Sequence, residues 1–234
     1  MNAPIAVRYG YGVFGAPFVN FTLTYDGPLP ASANKPKNRA KWEIRQAIHP
    51  QMVDLWGSHP ALQEIWQNRF FPKTGGAFLM QTHHQYGGAI RPLVPPIDPK
   101  TREIFDLCEP INKHGAWFRP LIRESYALHC GLKILFLRKE APGKVYQAGD
   151  IDGRIKTLLD ALAMPQHKEQ IIEKGSETKP IYCLLEDDSL VSGLEIETER
   201  LLGAEAQSPD FVRLVINVDI RLRQARIYNQ SFLG

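Results

Sequence analysis

Between residues 128 and 162 the hydrophobic period of the chain changes, and that change restricts the fold more than any bulk property does. Leu128, Cys130, Leu132, Ile134 and Phe136 share one parity against His129, Gly131 and Lys133, the two-residue repeat of a strand with one buried face. After a polar connection from Arg138 to Gly149 the repeat becomes helical. Ile155, Leu158, Leu159 and Leu162 form an apolar stripe, while Asp152, Lys156 and Asp160 recur four apart on another face. A strand handing over to an amphipathic helix needs a sheet for that helix to cover, so an all-helical fold is excluded.

The rest of the chain extends the same pattern. Phe21, Leu23 and Tyr25 alternate with Asn20, Thr22 and Thr24, and a turn is expected over Asp26-Gly27-Pro28-Leu29-Pro30. A helix is predicted from about Asn38 to His49, with Trp42, Ile44, Ala47 and Ile48 inward, until Pro50 interrupts or kinks it. A further helix is expected over Pro60 to Phe71. Strands are predicted at Ile181 to Leu185, around Leu190 to Glu197, and at Val212 to Ile220. The sum is α/β or α+β: a small mixed β-sheet of antiparallel-type strands packed by two or three helices. Residues 1–16 read as an arm and 17–234 as one domain carrying an insertion at about 57–118. That insertion contains His83-His84, Tyr86 and Gly87-Gly88, which could line a substrate or be ordinary surface residues.

Composition removes several function classes. Apolar residues make up 44% and charged residues 23% of the 234, ordinary values for a globular chain. No apolar run approaches the roughly 20 residues of a bilayer span, and the N-terminus lacks the order of a signal peptide. Cys108, Cys130 and Cys183 are far apart without a CxxC pair, so neither a disulfide framework nor a zinc knuckle is indicated and a cytoplasmic setting is expected. The net charge of +3 is mild. Its distribution is not: Lys35, Lys37, Arg39, Lys41 and Arg45 fall in one short stretch whose one acid is Glu43. Such a stretch is either a solvated helix start or a grip on phosphates.

Two acidic elements carry candidate chemistry. Phosphodiester hydrolysis with metal assistance needs a few carboxylates converging on one or two Mg²⁺ ions. Asp150 and Asp152 stand two apart at a strand-to-helix junction, and Asp188 ends a distant strand. Lys156, one turn beyond Asp152, is placed to hold a phosphate or stabilise developing charge. The plainer reading makes Asp152 a helix N-cap, Asp187-Asp188 a turn, and Asp160 the partner of Lys156 or Arg154.

The string Asp150-x-Asp152-x-x-x-Lys156-x-x-x-Asp160-Ala161-Leu162, followed by Asp187-Asp188-Ser189-x-Val191, resembles the signature of the RusA Holliday-junction resolvases. Family members also open with a strand, a Pro-rich turn ending in Asn and a basic helix, as do Phe18 to Tyr25, Pro28 to Asn34 and Lys35 to Arg45 here. The resemblance implies a small mixed α/β fold that dimerises, binds branched DNA and cuts it with Mg²⁺, for which Mn²⁺ can substitute. It makes Asp150, Asp152 and Asp188 the metal ligands and Lys156 the catalytic cation, with Lys35, Lys37, Arg39 and Arg45 on the DNA. Gly153 stands where the family has Asn, the link from the helix to the Asp-Asp pair is longer, and the chain is nearly twice the common size. The alternative expectation is a non-catalytic binding subunit on the same scaffold.

Overall fold

The computed structural model describes residues 19–31, 37–67, 69–72, 104–139, 150–203, 210–223, 229 and 232. The expected arm at 1–16, the His83-His84 segment and Lys35 lie outside these residues. Among the described residues the fold is α+β, with mixed sheets and three α-helices. The larger sheet has the order β1 (Asn20–Pro28), β9 (Phe211–Leu222), β6 (Leu128–Arg138), β8 (Val191–Arg200). A smaller one joins β4 (Ile111–Lys113), β5 (Ala116–Ile122) and β7 (Ile181–Leu185), and β2 (Phe70–Pro72) pairs with β3 (Ile104–Asp106).

The period-two segments become strands because one parity can be buried whole. Leu128, Cys130, Leu132, Ile134 and Phe136 of β6 are all buried, and so are Val212, Leu214, Ile216, Val218 and Ile220 of β9. β1 and β6 each run antiparallel to β9. The expectation of antiparallel strands fails elsewhere: β8 lies parallel to β6 and β7 parallel to β5. Periodicity reports burial of a face and is blind to the direction of the neighbour.

Three other expectations are corrected. β1 continues through Asp26, Gly27 and Pro28, which pair with Arg213, Val212 and Phe211; an edge strand tolerates a proline because no ladder hydrogen bond need be lost on its open side. The first helix, α1 (Lys37–Ser58), passes through Pro50 rather than ending there. Met52 and Trp56 beyond the proline are buried in the core, and Gln51 ties this turn by donating to Ala47 O at 3.0 Å and Thr24 O at 2.8 Å. Burial of two large side chains, at about 1.5–3 kcal/mol each, offsets the roughly 3 kcal/mol cost of an interior proline. The helix that follows, α2 (Pro60–Gln67), stops short of Phe71, which enters β2.

Parts of residues 57–118 belong to the core. Ala61, Leu62, Ile65, Leu107 and Cys108 join the main apolar cluster, and β5 supplies the neighbour of β7. All three cysteines are free and buried, and burial pushes each thiol up to about 12. No described helix is long and apolar enough to cross a membrane.

Candidate active site

The third helix, α3 (Asp150–Leu162), carries the first acidic element. Leu158, Ala161 and Leu162 seat it in the core, leaving Asp152 and Lys156 exposed. Its last turn is held by α1. The Arg45 guanidinium donates to Asp160 O at 3.0 Å and to Ala163 O at 2.8 Å, satisfying carbonyls that a helix end leaves without partners. One turn earlier on α1, Lys41 Nζ donates to Asp160 Oδ2 at 2.6 Å. The partner of Asp160 is thus Lys41, neither Lys156 nor Arg154; Arg154 turns away to Leu29 O and Asp210.

Beyond α3, Met164 N donates to Leu185 O at 3.0 Å and Ala163 bridges Leu185, so the helix end abuts the end of β7. The second acidic element follows at once. Asp187 caps a short 3₁₀ turn, Asp188–Leu190: its Oδ1 accepts from Ser189 N at 3.0 Å and its Oδ2 from Gln166 Nε2 at 2.7 Å. The Ser189 bonds, with help from Gln166 and Lys113, hold the Asp187 carboxyl below the usual carboxylate range. Gln166 also receives Lys113 Nζ at 3.1 Å on its side-chain oxygen, and its carbonyl meets His114 Nε2 at 3.1 Å. The tip of the β4–β5 hairpin is thereby clamped to Asp187. His114 and Gly115 at that tip both have positive φ, 54° and 79°, as a two-residue hairpin turn of the right twist demands.

Asp188 is left exposed, and its surroundings differ from those of Asp187. Partial burial, then the charges of Asp187 and Asp160, push its carboxyl up from the ordinary value. Two neighbouring carboxylates make its ionised form costly, and a cation would relieve that repulsion. A cleft of about 480 Å³ opens beside the turn, bounded by Lys113, Glu124, Glu186 and Asp187 among others.

The candidate residues are therefore brought together in part. Asp188 meets α3 at the turn of Asp160, with Lys156 one turn away along the helix. Asp152 lies two turns from Asp160, about 12 Å along the axis at 1.5 Å per residue. Asp150 is the first residue of α3, and its side chain lies outside the described residues. The helix begins at Asp150, so Asp152 sits in the first turn and is not the N-cap; an acid there still complements the positive end of the helix dipole. Among the described residues, no three His, Cys, Asp or Glu side chains group closely enough to hold one metal ion.

The basic stretch divides in the same way. Arg39 is exposed and paired with Glu43 one turn on, at 2.9 Å. Lys37 starts α1, and its side chain lies outside the described residues. Arg45 is corrected: it is 1% exposed and committed to α3, so no phosphate reaches it. Two side chains that the motifs pass over, Lys41 and Gln166, turn out to hold the acids in place. Lys41 looks like any member of a basic run, and only the packing of α1 on α3 singles it out.

Compared with known proteins, the chain matches no family model, no curated protein and no solved structure.

Proposed function

We propose that this chain is a divalent-metal-dependent endonuclease that hydrolyses phosphodiester bonds in branched, Holliday-junction-like DNA, working as a homodimer in the cytoplasm. The resemblance of its two acidic elements to the RusA signature motivates the reading. The observation that carries it is the setting of Asp188, exposed at a strand end where the turn meets α3, its carboxyl raised by partial burial and then by the charges of Asp187 and Asp160. Such a site favours a nearby cation.

On this reading Asp150, Asp152 and Asp188 are the ligands of Mg²⁺ or Mn²⁺, and holding one ion would require Asp188 to move along α3 from the turn of Asp160 toward Asp152, about 12 Å away at 1.5 Å per residue. The bound ion would supply the activated water and steady the leaving oxygen. Lys156, exposed between Asp152 and Asp160, holds a non-bridging phosphate oxygen and stabilises the charge that develops on it. Asp187, pinned by Ser189 and Gln166, fixes the backbone from which Asp188 projects. Lys37 and Arg39 in the first turn of α1, with Lys35 two residues earlier in the sequence, grip the phosphate backbone, with an affinity that falls as salt rises. Cleavage of a synthetic four-way junction with Mg²⁺ tests this: Asp152→Asn and Asp188→Asn abolish cutting and keep the fold. Undiminished cutting by either variant removes the assignment.

A second reading, a binding subunit without catalysis, draws on the lack of a three-acid group among the described residues. Mn²⁺ binding separates the two. A catalytic site takes the ion through Asp152 and Asp188, whereas a binding subunit shows no effect of changing them.

A further inference from the structure

The larger sheet buries one parity of its strands in the core and leaves the other open. On that open face a recess of about 520 Å³ lies over β9, β6 and β8 and reaches Asn20 and Thr22 of β1. Its charged side chains balance in two pairs, Lys133 Nζ with Glu195 Oε1 at 2.8 Å and Arg221 Nε with Asp219 Oδ2 at 2.7 Å. Any preference for a ligand therefore comes from which polar atoms remain unused, and not from net charge.

Arg221 and Asn217 are the side chains that keep unused donors. Asp219 takes the Arg221 Nε and bends the guanidinium back over Gly131, which stands opposite Asp219 on the neighbouring strand. A Cβ at Gly131 would lie 2.8 Å from Nη2 and 3.1 Å from Cζ of Arg221, so the guanidinium lies on the sheet here because residue 131 has no side chain. Gly193, opposite Gly131 on β8, extends the floor. Nη1 and Nη2 have no hydrogen-bond acceptor among the described residues, and the Arg221 side chain is half exposed. One step along β9, Thr22 Oγ1 donates to Asn217 Oδ1 at 2.7 Å, which orients the Asn217 amide and leaves its Nδ2 without an acceptor among the described residues. That step is about 7 Å, two residues at 3.4 Å each, a gap that a phosphate with a hydrogen bond on either side spans.

We propose that this recess is a phosphate subsite, in which the Arg221 fork laid on Gly131 takes two phosphate oxygens side by side and Asn217 takes a third. A guanidinium whose Nε is already held by a carboxylate presents its two terminal nitrogens in a fixed plane, the geometry that pairs with two oxygens of one anion. A carboxylate would satisfy the fork alone; the additional amide donor favours a tetrahedral anion. Asp219 is then a positioning residue, acting through Arg221. The inference goes beyond the reading under Proposed function and uses neither the acidic turn nor a metal. Two sources carry this chemistry, the backbone of a nucleic acid and free phosphate.

The test uses the full chain in EDTA at constant ionic strength. Inorganic phosphate is titrated while the backbone amides of Gly193 and Asn217 are followed by NMR, with acetate as the carboxylate control, and affinity for a synthetic four-way junction is measured alongside. The wild-type amides respond to phosphate and less to acetate. Gly131→Ala keeps every charge and denies the guanidinium its seat; Arg221→Lys keeps the charge and removes the fork, and carries the test if Gly131→Ala fails to fold. Each weakens phosphate at least about fivefold, the scale of one or two charge-assisted hydrogen bonds at an exposed site. Asp219→Asn makes the recess more positive and still weakens phosphate, because the guanidinium is no longer aimed; attraction by charge alone would tighten it. Junction affinity that falls in the same variants identifies a nucleic-acid backbone as the source, and junction affinity that stays while phosphate weakens identifies free phosphate; either upholds the subsite. It is overturned by a wild-type chain that does not respond to phosphate or responds equally to acetate, by tighter phosphate in Asp219→Asn, or by unchanged affinity in folded Gly131→Ala or Arg221→Lys.

Discussion

Lys41 and Asp160 are 119 residues apart in the chain and 2.6 Å apart in the fold. Their contact joins α1 to α3 beside the Asp187–Asp188 turn, and Arg45, one turn along the same helix, completes the junction through the carbonyls of Asp160 and Ala163. Two cations of a basic stretch thus face inward. They fix the helix end against which the second acidic element folds.

Arg45 is the sharper of the two for stability. Its guanidinium is buried, and desolvation brings it down to about 10. Arg45→Met removes the donors that cap α3 and lowers unfolding stability by about 2–4 kcal/mol, read by urea denaturation. Junction affinity of the folded fraction stays as in the wild type. A variant that kept its stability and lost DNA affinity would place Arg45 on the DNA after all.

The charge of Asp188 costs stability. Its carboxyl is raised because the charged form is disfavoured in the fold, so the charge is a cost at neutral pH and no cost once both states are protonated. Asp188→Asn, in EDTA, raises Tm slightly at neutral pH. The gain shrinks as pH falls through the carboxylate range. A lower Tm at neutral pH would mean that the carboxylate is a structural partner.

His49 links α1 to β7. Its Nδ1 accepts from Tyr182 N at 2.9 Å and its ring packs on that of Tyr182 at 5.8 Å. Burial lowers its basicity. With the folded value below the unfolded 6.5, the contribution is fully present above about pH 6.5 and is lost as pH falls through the folded value. His49→Gln flattens the fall in stability between about pH 7 and 5 relative to the wild type. An unchanged slope would assign the acid sensitivity to other groups.

Pro50 sits inside α1 against local preference. Pro50→Ala restores a backbone donor in that turn and raises stability by about 1–3 kcal/mol, measured by chemical denaturation. A loss would mean that Pro50 is needed to bring Trp56 into the core.

Much of the architecture was legible before any coordinates. The parity of Leu128 to Phe136 and of Val212 to Ile220, and the stripe of Ile155, Leu158 and Leu162, announce which face each segment buries, because burial of alternate or helically spaced residues is a local property of the chain. These segments are β6, β9 and α3. The parallel pairing of β8 and β7 had no such signal, since strand direction depends on the route of the connections. Pro50 misled for a related reason: propensity speaks for one turn, while Met52 and Trp56 are rewarded by the whole core.

The same division runs through the candidate site. Sequence alone determined which residue types are present and in what order: Asp150, Asp152, Lys156, Asp160 and the Asp187-Asp188 pair, on a helix and at a strand end. Only tertiary structure decided that Arg45 is a buried cap, that Lys41 partners Asp160, and that Gln166 holds Asp187 and leaves Asp188 open. A charge acts over a few ångströms of space with no regard to its distance along the chain, so its partner is chosen when helices pack and not when residues are joined.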